Sequence, residues 1–145
     1  MTVKTNQTNQ TDQTNEMNQR TVLVAVSDVF FYTKIRDALL PRGYRLERTR
    51  SQQEVMEKAT ALRPAAIILN MNDETLDAFR ALEQIKGDDR LRAIPVLAFA
   101  NHEEVETWKR AKELGITKIV SRNEFSSRTR DLVEEILASG VRGKG

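Results

Sequence analysis

Ala65-Ala66-Ile67-Ile68-Leu69, entered from Arg63-Pro64 and closed by Asn70, is an apolar run with no polar interruption. A strand with one wet face alternates apolar and polar residues. A continuous run of this length belongs to a strand covered on both faces, as in a parallel sheet flanked by helices. The same signature recurs upstream in Val22-Leu23-Val24-Ala25-Val26 and downstream in Ile94-Pro95-Val96-Leu97-Ala98-Phe99. Pro95 is tolerable at the start of a strand, where its missing donor breaks little of the ladder. Tyr44 to Arg48 and Ile116 to Val120 read as two further, shorter strands.

Helical periodicity fills the intervals. Phe31, Ile35, Ala38 and Leu39 mark a helix from Phe30 to Leu40, stopped by Pro41-Arg42-Gly43. Ser51 with Glu54 forms a capping box ahead of Val55, Ala59 and Leu62, and that helix ends before Pro64. Leu76, Phe79, Leu82 and Ile85 space out a third helix. Asn101 with Glu104 gives an N-cap signal for a fourth, running through Val105, Trp108, Ala111 and Leu114 to Gly115. The fifth starts near Ser127, carries Leu132, Ile136 and Leu137, and fades at Ser139-Gly140. Five strands alternating with five helices through short connections predict right-handed crossovers and a three-layer open α/β domain.

Composition bounds the function. Thirteen of the first 20 residues are Thr, Asn or Gln, too polar to form a core, so 1–20 is expected to be a disordered tail and 21–139 the folded domain, with 140–145 a flexible C-terminal tail. Asn6-Gln7-Thr8 and Asn9-Gln10-Thr11 match the glycosylation pattern only by chance, since no secretion signal precedes them. The formal charge is +2, but Lys4 and Arg20 cancel Asp12 and Glu16, and Arg142 and Lys144 lie in the C-terminal tail. Residues 21–139 therefore sum to zero, which removes the main compositional support for nucleic-acid binding and leaves only a local patch as its basis. The chain has no cysteine, so thiol catalysis and thiolate metal sites are excluded. No apolar stretch is long enough to span a membrane, and a cytoplasmic protein is expected.

In such sheets ligands bind beyond the carboxyl ends of the strands. Those positions carry Ser27 and Asp28, Asn70, Ala100, and Ser121 with Arg122. Ser27-Asp28-Val29-Phe30 lacks the glycines of a dinucleotide or Walker loop and the small residues of a flavin phosphate loop. The sole histidine, His102, makes neither a metal site nor a triad and reads as a surface neighbour of the helix start. Phe30, Phe31 and Tyr32 cannot all face inward, so one or two belong near the pocket mouth or a partner.

The stretches Arg63-Pro64-Ala65-Ala66-Ile67-Ile68-Leu69-Asn70 and Leu91-Arg92-Ala93-Ile94-Pro95-Val96-Leu97-Ala98-Phe99-Ala100-Asn101, with Ala111-Lys112-Glu113-Leu114-Gly115, resemble receiver domains of bacterial response regulators, chemotaxis regulators among them. The resemblance covers about residues 21–139 and implies a flavodoxin-like (βα)5 fold with a five-stranded parallel sheet in the order 2-1-3-4-5. The spacings of 30 residues from Asn70 to Ala100 and 22 from Ala100 to Arg122 match those of the family's phospho-acceptor, hydroxyl and lysine positions. Such receivers take a phosphoryl group from a histidine kinase onto an aspartate beside a magnesium ion. At the acceptor position this chain has Asn70, and a neutral amide cannot form an acyl phosphate. The acidic pair is Ser27-Asp28, the hydroxyl is Ala100, the lysine is Arg122, the proline after it is Asn123, the aromatic switch is Ile119, and the glycine after the acceptor loop is Ala78.

The expected protein is thus a degenerate pseudo-receiver, not an enzyme, without cofactor or metal, and with no catalytic residue. It acts as a stand-alone, phosphorylation-independent interaction module in two-component-type signalling, with no output domain after the last helix. A kinase, another receiver or a regulator is the expected partner, with no nucleic acid and no membrane. Trp108, Lys112 and Ile119 are the candidates for the partner face, which would also serve self-association. Asp28 and Arg122 are candidates for an ion pair across the vacated pocket, although a weak solvated pair is the simpler reading. The competing expectations are a receiver phosphorylated at an atypical acceptor, Asp73, and a small-molecule sensor using the vacated pocket.

Overall fold

The computed structural model describes residues 20–144, and side chains through Ser139. Residues 1–19, where the sequence predicts a disordered tail, lie outside the described residues. The elements run β1 (Thr21–Ala25), α1 (Val29–Leu39), a short 3-10 turn (Leu40–Arg42), β2 (Arg45–Thr49), α2 (Gln52–Leu62), β3 (Ala66–Asn70), α3 (Ala78–Lys86), β4 (Val96–Ala100), α4 (Val105–Glu113), β5 (Lys118–Ser121) and α5 (Arg122–Lys144). All strands are parallel, in the order β2-β1-β3-β4-β5. This is the three-layer arrangement that the alternation predicts, with the flavodoxin-like strand order that the receiver resemblance implies.

The uninterrupted apolar runs are explained by two cores, one on each face of the sheet. Every residue of β1, β3 and β4 is buried. Leu23, Ile67, Leu69 and Ala98 pack on one side with Val55 of α2, Leu82 and Ile85 of α3 and Ala111 of α4. Val22, Val24, Ile68, Leu97 and Phe99 pack on the other side with Ile35 and Leu39 of α1 and Leu132, Val133 and Ile136 of α5. Phe99 stacks on Phe125 at 4.5 Å between ring centroids and meets Phe31 at 4.6 Å, so an aromatic cluster fills the second core near the carboxyl ends of the strands.

Local chemistry sets the helix ends. Asp28 Oδ1 accepts from Phe30 N and Phe31 N and starts α1. Ser51 Oγ accepts from Glu54 N to start α2, while Glu54 Oε1 reaches back to Arg50 N, one residue before the cap. Gly115 follows α4 at φ +88°, a conformation that glycine adopts without a Cβ penalty.

Three helix readings need correction. Leu76 lies before α3, which starts at Ala78 because Asp77 caps it. Asn101 does not cap α4: the helix starts at Val105, its N-cap Glu104 makes no side-chain cap bond, and Val105 is 69% exposed rather than part of the buried stripe. The last helix begins at Arg122, five residues before Ser127, because Ser121 Oγ accepts from Glu124 N at its start. Arg128, at φ −130° and ψ 29°, breaks its regularity, and the segment beyond that break is the periodic one. Its backbone continues through Lys144, past Gly140. No helix among the described residues is long and apolar enough to cross a membrane.

Candidate functional site

Parallel pairing brings the carboxyl ends of the strands to one edge of the sheet, with Asn70 beside Phe99 and Ala100 beside Ser121 in register. All the predicted pocket residues therefore lie on this rim. Their bonding differs from the simplest expectation.

Asn70 closes β3 and is buried. Its Oδ1 accepts from Asn72 N at 3.0 Å, and its carbonyl accepts from Asp73 N at 3.2 Å. The amide thereby shapes the following turn, as Asn side chains do when they bond the backbone two residues ahead. A neutral, bonded amide offers no electron pair with carboxylate basicity for attack on phosphorus.

Asp73 stands across from Ser27 and is fully engaged. Its Oδ2 accepts from Ser27 N at 2.8 Å, and its Oδ1 accepts from Ser27 Oγ at 2.8 Å, Leu76 N at 3.1 Å, Thr75 N at 3.1 Å and Thr75 Oγ1 at 3.2 Å. Partial burial pushes the Asp73 carboxyl up, but the donors from Ser27, Thr75 and Leu76 outweigh it and hold the group below the ordinary carboxylate range. Ser27 is also held from the edge strand: Arg48 Nη2 donates to Ser27 O at 2.5 Å and Arg48 Nε to Val26 O at 3.2 Å, with the guanidinium 5.1 Å from the Tyr32 ring centroid. The β1 end is thus tied to β2 and to the β3–α3 loop by side chains of this chain alone.

Asp28 and Arg122 do not pair. The Asp28 carboxylate is the α1 cap, whereas the Arg122 guanidinium lies 4.8 Å from the Phe31 ring centroid and 5.7 Å from that of Phe99. The helix start offers the carboxylate two amide donors at fixed geometry, and the aromatic cluster offers the cation two rings. Ala100 is fully buried and contributes no polar group.

A hard divalent cation takes several oxygen ligands, carboxylates first. Around Asn70 the available oxygens are an amide already accepting from Asn72 N, a helix-capping carboxylate, and a carboxylate with five donors on it. Among the described residues no three His, Cys, Asp or Glu side chains cluster to hold a metal. This donor set does not fit the magnesium ion that the receiver resemblance implies.

A second network joins the β3–α3 loop to the β4–α4 loop. Asn72 Oδ1 accepts from Asn101 N at 2.7 Å, and Asn72 Nδ2 donates to Glu104 Oε1 at 2.7 Å. Glu104 also accepts from Thr107 Oγ1 at 3.1 Å and Asn101 Nδ2 at 3.5 Å. These donors, Asn72 first, hold the Glu104 carboxyl below its usual range. The carbonyl of Asn101 receives the indole Nε1 of Trp108 at 3.0 Å. Trp108 is half-buried, packed on the α2–α3–α4 core, and Lys112 Nζ sits 6.0 Å from its ring centroid. Ile119 is only 8% exposed and lies inside that core.

No family model matches the chain. Solved structures do. The receiver domain of a signal transduction histidine kinase from Syntrophus aciditrophicus superimposes with TM-score 0.74 at 20% identity, covering 82% of this chain and 90% of that one. The fold is that of a receiver domain. The phosphorylated cyanobacterial phytochrome response regulator RcpA shares the receiver fold with TM-score 0.73 at 20% identity, over 83% of this chain and 95% of that one. Vibrio cholerae chemotaxis protein CheY4 gives 0.71 at 17%, over 80% and 97%. In sequence, the polar-differentiation response regulator DivK of Brucella anthropi is 28% identical over 79 residues, 54% of this chain and 64% of DivK.

Within the receiver fold, Asp73, Asn72 and Arg48 carry contacts that the sequence reading does not assign. That reading considers Asp73 only as a phosphoryl acceptor. Asn72 has a faint signal, a third amide near the strand ends after Asn70 and before Asn101. Arg48 has none, since nothing local shows that an edge-strand arginine reaches the neighbouring strand's last carbonyls.

Proposed function

We propose that this chain is a pseudo-receiver: a cytoplasmic interaction module of two-component-type signalling that works without phosphorylation and binds a kinase, a receiver or another regulator through its folded surface. The observation that carries the reading is Asn70, a buried amide at the end of β3 whose oxygen is committed to Asn72 N. The engaged oxygens of Asp73 support it, because attack by either would have to give up bonds to Ser27 or to the loop amides. The half-buried Trp108 and exposed Lys112 of α4 are the residues through which we expect the partner to be recognised, with Ile119 supporting them from beneath.

The test is incubation of the full chain with a small acyl phosphate and magnesium, followed by intact-mass measurement. The expected result is an unchanged mass. Gain of one phosphoryl group, on Asp73 or elsewhere, overturns the reading.

A further inference from the structure

A continuous hydrogen-bonded path leads from the buried amide of Asn70 to the indole of Trp108. Its steps are Asn72 N to Asn70 Oδ1 at 3.0 Å, Asn101 N to Asn72 Oδ1 at 2.7 Å, and Trp108 Nε1 to Asn101 O at 3.0 Å. Glu104 braces the middle of it, receiving Asn72 Nδ2, Thr107 Oγ1 and Asn101 Nδ2 on its two oxygens, while its own backbone N donates to Asn101 O at 3.1 Å. We infer that Asn72 and Glu104 are positioning residues that pin the start of α4 to the β3 end and so hold Trp108 in one orientation on the surface the partner would meet.

Little else holds this segment. The turn from Asn101 to Glu104 is exposed, Val105 is exposed, and α4 has no side-chain cap, so apolar burial contributes little at this end. Trp108 and Ala111 reach the core, but they lie one and two turns further along the helix. Segments with few buried contacts open locally unless side chains tie them down. Asn72 suits that task because one amide both accepts from a backbone N–H and donates to a carboxylate, joining two loops that are 29 residues apart in sequence. The bond to the Glu104 carboxylate is charge-assisted, the stronger kind. Charge on α4 adds to the argument: Lys109 and Lys112 appear in no ion pair among the described residues. A fixed indole with the Lys112 cation against its ring is a preorganised surface, which lowers the ordering cost of binding an acidic, apolar-bearing protein segment. This inference rests on the pseudo-receiver reading only for the identity of the docking face.

Trp108 is the only tryptophan, so its indole N–H and its fluorescence report on this contact alone. In the full chain, Asn72→Ala is expected to accelerate hydrogen exchange of the Trp108 indole by about ten-fold, the effect of losing roughly one net hydrogen bond, and to raise quenching of its emission by acrylamide. Protection of core amides such as Ile68 and Leu97 should stay near wild type. Glu104→Gln, which keeps the shape and one acceptor, should give an intermediate rate, and Asn72→Ala with Glu104→Ala together should cost less than the sum of the two alone. Unchanged indole exchange in Asn72→Ala, or acceleration matched by equal loss of core protection, overturns the inference. Should Asn72→Ala fail to fold, Glu104→Gln and Thr107→Val decide it by the same readout. A phosphorylated wild-type chain would sink the pseudo-receiver reading and leave these exchange rates to be judged separately.

Discussion

Replacing Asp73 by Asn probes the β1-end tie most directly, because the side chain keeps its shape and loses only its charge and one acceptor. At Oδ2 the wild-type carboxylate takes Ser27 N at 2.8 Å; an amide nitrogen there would face a backbone donor with another donor. At Oδ1 the amide oxygen still accepts from Ser27 Oγ and the loop amides, but as neutral bonds, which are about half as strong as charge-assisted ones. Loss of the Ser27 bond, with that amide left facing a donor, makes the expected destabilisation about 2 kcal/mol at neutral pH. Urea unfolding followed by circular dichroism should show it as a midpoint lowered by about 1 M, given an m-value of about 2 kcal/mol/M for a domain of this size. The sign of the pH dependence follows from the lowered folded-state pKa. The carboxylate's contribution is fully present above the unfolded-state pKa and is lost as pH falls through the lower folded-state value. The amide of the Asp73→Asn variant does not titrate, so the gap between the two proteins should narrow in acid. A gap at neutral pH below about 0.5 kcal/mol, the size of an ordinary surface substitution, or one that stays constant on acidification, would refute the assignment of Asp73 as the ion that holds Ser27.

Two further outcomes test other parts of the rim. Thr49 is fully buried at the end of β2, and its Oγ1 has no hydrogen-bond partner among the described residues; Thr49→Val should raise stability by about 1 kcal/mol, seen as a higher melting temperature, because it removes an unsatisfied hydroxyl at nearly constant volume. Arg122→Ala removes the guanidinium from the Phe31 and Phe99 rings and should cost about 1 kcal/mol in denaturant unfolding; no loss would mean that the stacking contributes nothing beyond placement.

The fold was legible because a parallel sheet covered on both faces leaves an unmistakable trace. β1, β3 and β4 are fully buried, so each had to be written almost entirely in apolar residues. The helix starts were less legible. Ser51 reads correctly as a cap, since its bond to Glu54 N is local. Asn101 and Glu104 carry the same three-residue spacing, yet the Glu104 side chain and the Asn101 backbone N–H bond Asn72, a residue far away in sequence, and α4 begins later. Val105 shows the same limit: helical spacing groups it with Trp108 and Ala111, but the position of α4 against the sheet leaves it exposed.

The candidate site divides along the same line. The chain's own order of residues already places particular atoms at the strand ends, because the alternation fixes those positions and the residue types there are simply read: an amide at 70, a methyl at 100, a guanidinium at 122 and one carboxylate, not two, after β1. Which of those atoms meet depends on how the folded elements pack. Asp28 turned to the local amides of α1 and Arg122 to the aromatic cluster rather than to each other. Asp73 closed on Ser27 and Asn72 on Asn101. Such contacts depend on loop paths set by packing across the sheet, and side chains choose partners by distance in space, a quantity no local pattern encodes.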